Sequence, residues 1–248
     1  MAEVKNEVVV IKDYGVPSTA SREALLEEFD GLPMSIERIK IPSAGGVAFE
    51  VPGENPDDPD MVKVLEAVIV DKYPVNSYFA KEYTGEKVPP DCSSTDGKIG
   101  YAPPESTVDW AGGSNHCATC HLNQFGSDPK GGKACANKYR LYLLFSGDMF
   151  PKLLTLPAGS LKAYGDYARR IVGKGYLAHQ ILTKITLKKE RSNGGIEYSQ
   201  AQFAMAGVLS PEEQAKVAEY ASSIKAMTRV VPVTSENDVV TVSGDYGM

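Results

Sequence analysis

Histidine and tryptophan are scarce here: the 248 residues hold three histidines and one tryptophan. His116, His121 and His179 leave little material for a histidine-based catalytic centre. No Gly-x-Ser-x-Gly elbow, phosphate-binding loop, dinucleotide fingerprint or His-Glu-x-x-His sequence occurs. The His-x-Glu…Pro-Cys-x-x-Cys order of zinc deaminases is missing too. Acidic residues number 32, enough for a metal-dependent nuclease, yet no spacing singles out a pair. The expectation is a protein that is not an enzyme. No apolar stretch approaches the roughly 20 residues of a membrane helix, and residues 1–20 hold no signal-like apolar run. No membrane partner and a cytoplasmic location are therefore expected. Hydrophobic content of 42% and charged content of 23% suit an ordinary globular chain, long enough for one large domain or two small ones.

Cysteine is sparse but concentrated. Cys92, Cys117, Cys120 and Cys135 are the four in the chain, and two of them form a Cys-x2-Cys pair. Two flanking cysteines around such a pair fit a closed tetrahedral zinc site with a structural role. The surrounding segment, about 91–136, is rich in Gly, Ser, Asp and Pro and cannot close an apolar core. A structural zinc, contributing roughly 10–16 kcal/mol, would fold it. Cys117-Ala-Thr-Cys120-His121 also matches the attachment pattern of c-type haem. That chemistry requires export and leaves Cys92 and Cys135 without a role. Zinc on four cysteines is the simpler assignment, with His116 and His121 as neighbouring substitutes.

Net charge is −6, but the sign is unevenly distributed. From Pro129 to Arg191 there are 13 Lys and Arg against 3 acids, so this stretch carries +10 and the remainder −16. A basic working surface on an acidic body is the implication. Tyrosines interleave with these cations, among 13 in the chain, and cations with aromatic faces are what single-stranded nucleic acid requires.

The expected elements are mostly strands: 7–12, 36–41, 47–51 after a Gly45-Gly46 turn, 62–73, 75–83 across Pro74, 138–145, a short strand ending at Leu156, 176–189 and 196–204. Helices are expected at 21–29, from Ser160 to about Val172, and from Ser210-Pro211 to about Met227. Alternation on 138–145 assigns Tyr139, Leu141, Leu143 and Phe145 to the core, and Lys138, Arg140, Tyr142 and Leu144 to a cationic face. The fold class is mainly β with a few helices (α+β). It reads as a Greek-key barrel like the five-stranded oligonucleotide-binding (OB) fold over 1–228, with the zinc insert and a C-terminal helix. A mobile, mildly acidic tail follows over 229–248. A mixed α+β sandwich and two domains divided near residue 90 are the alternatives.

The run from Phe125-Gly-Ser through Gly131-Gly-Lys-Ala-Cys135 to Arg140-Leu-Tyr-Leu-Leu144, with the Cys-x2-Cys insert, resembles zinc-containing OB-fold single-stranded DNA-binding proteins of phages and mobile elements. The resemblance covers about residues 90–205. It implies sequence-independent binding in DNA replication or recombination, in a host cytoplasm for a phage protein, with the acidic tail recruiting partner proteins. Strand alternation nominates Lys138, Arg140, Lys184 and Lys188 as backbone contacts, with Lys133, Arg169 and Arg170 next. Tyr142 and Trp110 are the stacking candidates. A zinc-stabilised protein-interaction or structural module is the alternative, and a c-type haem protein the third reading.

Overall fold

Val64 to Tyr78 is dense in β-branched and aromatic residues and forms one fifteen-residue strand. The computed structural model describes residues 9–18, 24, 27, 28, 34–55, 58–81, 89–129, 131–192, 194–229 and 240–242. In chain order the strands are β1 (Val10–Ile11), β2 (Met34–Ile36), β3 (Arg38–Ile39), β4 (Phe49–Val51), β5 (Asp60–Val62) and β6 (Val64–Tyr78). Then come β7 (Cys92–Ser94), β8 (Ile99–Tyr101), β9 (Ser114–His116), β10 (Ala136–Leu144), β11 (Lys152–Leu156), β12 (Ile181–Arg191), β13 (Glu197–Leu209) and β14 (Val240–Val242). The helices are α1 (Ala158–Gly173) and α2 (Pro211–Arg229). The protein is thus mainly β with two helices among the described residues, and neither is long and apolar enough to cross a membrane. The helix expected at 21–29 falls largely outside the described residues.

The sequence suggests two strands meeting at Pro74, but β6 passes straight through it. Residues 68–77 pair antiparallel with β10 on one side. The other edge is taken by β12 at 64–68 and by β7 at 76–78, so Pro74 falls where that edge is open. A proline is tolerated in a strand at such a place.

The principal sheet runs β1-β13-β12-β6-β10-β11-β3, with β7, β8 and β9 branching from β6. Among the described residues it does not close, so the expected mainly β fold is found without the closure of an OB-like barrel. One reason lies along β13. Among the described residues its outer edge meets β1 at Val208 and Leu209, and α1 covers part of the remainder. Ala201 donates its N–H to Ser160 Oγ at 2.9 Å, and Gln200 reaches the Gly159 carbonyl at 2.8 Å. Ser160, expected as a helix cap, is instead buried inside α1 as this edge's hydrogen-bond partner. Helix side chains stand where a closing strand would pair.

Both faces of the sheet are covered. On one, Tyr164, Tyr167 and Ile171 of α1 pack with Leu141, Leu143, Ile181, Ile185 and Phe203. On the other, Val217, Tyr220, Ile224 and Met227 of α2 pack with Val68, Tyr73, Tyr142 and Leu144. Ser210 caps α2 as expected, its Oγ accepting from Glu213 N at 3.3 Å. The last turn of α2 is latched to the sheet. Thr228 Oγ1 and Arg229 Nη2 donate to the Asp71 carboxylate at 2.6 and 2.9 Å, and Tyr142 donates to the Thr228 carbonyl at 2.9 Å. Beyond it, Val240–Val242 pairs antiparallel with β2, so this part of the expected mobile tail is a strand.

His179 lies in the 3-10 turn Ala178–Gln180 that leads into β12. Burial, then the Lys72 and Lys225 ammonium groups, depress its pKa. The folded state therefore disfavours protonated His179, and this contribution to stability is present above about pH 6.5 and lost as the pH falls below it. Urea midpoints should drop between pH 7 and 5.5, and His179→Gln should flatten that part of the profile.

Candidate nucleic-acid interface and metal centre

The segment between β6 and β10 is less shapeless than its composition implies, because β7, β8 and β9 form a meander anchored on β6. Asp96 turns β7 into β8, its Oδ1 accepting from Lys98 N at 2.7 Å and Ile99 N at 3.1 Å. Gly97 has φ +69, and a Cβ there would strike the Pro74 ring at 2.9 Å. The Cys-x2-Cys knuckle is then fixed by Cys117 N bonding Lys98 O and by Asn123 Nδ2 bonding Cys117 O, at 2.8 and 2.7 Å. Cys135 N bonds Leu122 O at 2.8 Å and returns the chain to β10.

All four cysteines line one cavity of about 20 Å³, room for about one water-sized sphere. None is in a disulfide. Burial, then the neighbouring Cys117, Cys120 and Cys92 thiols, pushes the Cys135 thiol up to about 12. Burial also raises Cys92. Gly100 has no space for a side chain, since a Cβ would lie 2.8 Å from Cys92 Sγ and 3.7 Å from Cys117 Sγ. The Trp110 indole N–H is buried without a full hydrogen bond and acts on the Cys92 sulfur. Trp110 also meets the His121 ring edge-on at 5.9 Å, so it belongs to the module's packing. Among the described residues no group of three or more His, Cys, Asp or Glu is closed tightly enough to hold an ion as it stands. The donor set nevertheless suits zinc: four sulfurs around one ion-sized space, with an indole N–H beside a future thiolate.

A second groove, of about 610 Å³, opens on the principal sheet. Val75, Lys138, Arg140, Leu153 and Thr155 contribute from β6, β10 and β11. Arg38, Lys40 and the loop to Ala44 form one flank, and the start of α1 with Ile196–Ser199 the other. The lining holds four cations and one carboxylate, Glu197, which is paired with Lys189 at 2.6 Å and Arg191 at 3.3 Å, while Lys40 is paired with Glu50 at 3.6 Å. No family model, curated protein or solved structure matches this chain.

The site therefore rests on its own geometry. Lys138 and Arg140 are together in the groove. Tyr142 is not a surface residue: it is fully buried under α2 and stacked on Tyr73, so it is corrected to core. Arg140 keeps its place, but at 2% exposure it sits deep in the floor, 3.4 Å from Tyr73 Oη. Lys184 and Lys188 are exposed on the outer face of β12, outside the groove, with Lys188 paired to Glu190. Arg169 pairs with Asp166, and Arg170 lines a separate hollow beside Phe203. Lys133 sits on the cysteine module. Arg38, Lys40 and Tyr198 were missed. The alternation of Arg38 and Lys40 with Ile39 and Ile41 was visible, but nothing local pairs β3 with β11.

Arg140 and Lys138 should now separate experimentally. Arg140→Ala should cost about 1–3 kcal/mol of stability because buried polar partners are stranded. Lys138→Ala, less deeply set, should cost about 0.5 kcal/mol or less by urea denaturation.

Proposed function

We propose that the chain is a sequence-independent single-stranded DNA-binding protein, not an enzyme, with a structural zinc ion on Cys92, Cys117, Cys120 and Cys135. The observation that carries the reading is the groove: Arg38, Lys40 and Lys138 line it over a floor of Val75, Leu153 and the buried Arg140, and its carboxylate Glu197 is paired with Lys189. Cations that track a phosphate backbone without base-edge readers bind irrespective of sequence. Strand order supports it. Numbered along the chain, β6, β10, β11, β12 and β13 lie in the order 3-2-1-4-5, with α1 between the third and fourth. That is the order of an OB barrel left open between its third and fifth strands. The groove is lined by its first three strands and by the start of the fifth, and the face of the second and third strands is where OB folds bind oligonucleotides. Strand β14 pairs with β2, which adjoins groove strand β3. This would hold the acidic tail near the groove, where it meets replication or recombination proteins in the cytoplasm.

The test is titration of a fluorescent dT oligonucleotide at several salt concentrations, with metal assayed on the same sample. Binding should weaken steeply with salt. Lys40→Ala with Lys138→Ala should reduce the slope by about 1.4, about 0.7 for each single-strand phosphate contact. An unchanged slope removes these residues from the track. About one zinc per chain is expected, and a strong chelator should unfold the module and lower the melting temperature. Zinc without oligonucleotide binding at any salt would favour a protein-interaction module instead.

A further inference from the structure

We propose that Phe125, at the tip of the cysteine module, is a base-stacking platform that extends the groove's nucleic-acid track; the proposal rests on the single-stranded DNA reading above. Phe125 is 84% exposed, forgoing the stabilisation that burying such a ring supplies. Its loop is not slack. Gly126 N and Asp128 N both bond Gly132 O, at 2.9 and 3.2 Å, and Ser127 Oγ bonds Leu122 O at 2.9 Å while accepting from Ala134 N at 2.9 Å. A pinned loop holds the ring out in solvent. Beside it stands a cation: Lys133 Nζ lies 5.3 Å from the ring centroid and is steadied by Asn123 Oδ1 at 3.3 Å. An aromatic face with an adjoining ammonium offers one base a stacking surface and its phosphate a counter-charge. The position suits the track. The loop returns through Cys135 into β10, the strand that carries Lys138 of the groove.

The experiment compares wild type, Phe125→Ala, Phe125→Leu and Phe125→Trp as full-length, metal-loaded protein on fluorescent dT oligonucleotides. Loss of one base–aromatic stack predicts binding about 5- to 100-fold weaker for Phe125→Ala. Metal content and melting temperature should not change, because the ring is exposed. Phe125→Leu should stay weak, since it keeps apolarity without a stacking face. Phe125→Trp should restore affinity and show fluorescence quenching by dT beyond the Trp110 signal of wild type. Wild-type affinity in Phe125→Ala, alongside weakened binding in Lys40→Ala with Lys138→Ala, would overturn the platform and leave the function standing. Full binding by Phe125→Leu would overturn stacking in favour of plain apolar contact. Wild type that binds no oligonucleotide even at low salt would bring down both.

Discussion

Strand β6 has two edges, and three strands divide them. Nine of its residues pair with β10, and its two ends face β12 and β7. Backbone groups buried without partners are costly, so this division fixes the order of the sheet, the placement of both helices and the point of attachment of the cysteine module. The module is not an appendage on a loop. It begins as a strand paired on Asn76–Tyr78 and shares the rigidity of the core.

Local chemistry made much of this legible. The Ser210-Pro211 helix start stands as its residue types dictate, and alternating Ile181, Thr183, Ile185 and Leu187 on β12 all face inward. The convergence of four cysteines on one cavity was readable from spacing alone. What could not be read was which face of a strand a distant helix would cover. Alternation on β10 correctly separates Tyr139, Leu141 and Leu143 from Arg140, Tyr142 and Leu144, but α2 arrives about seventy residues later and buries the second set as well. Arg38 and Lys40 were hidden for the same reason, because their place in the groove depends on a parallel pairing more than a hundred residues away.

Burial of the aromatic half of that face changes how the basic surface works. Tyr73 and Tyr142 are committed to holding the Thr228 carbonyl, and Arg229 stacks on Tyr73 at 4.2 Å. The sheet is left with cations but few free aromatic faces in the groove, Tyr198 being the one that lines it, its ring packed where a Cβ on Gly159 would sit. Phosphate attraction and base stacking are thus unequally shared between the sheet and its loops. Electrostatic attraction falls with salt while stacking largely does not.

The connection from Tyr78 to Ala136 starts and ends within one antiparallel pair, since Ser77 and Ala136 are register partners. Directly opposed residues in such a pair have Cα atoms about 4.5–5.5 Å apart, a gap that a short hairpin spans. Everything in between is topologically an excursion that leaves the sheet and returns to the same spot. A lineage could acquire or shed it as a block, keeping every remaining strand register. Sister proteins with a bare hairpin at this position would then carry the same strand order and the same basic groove.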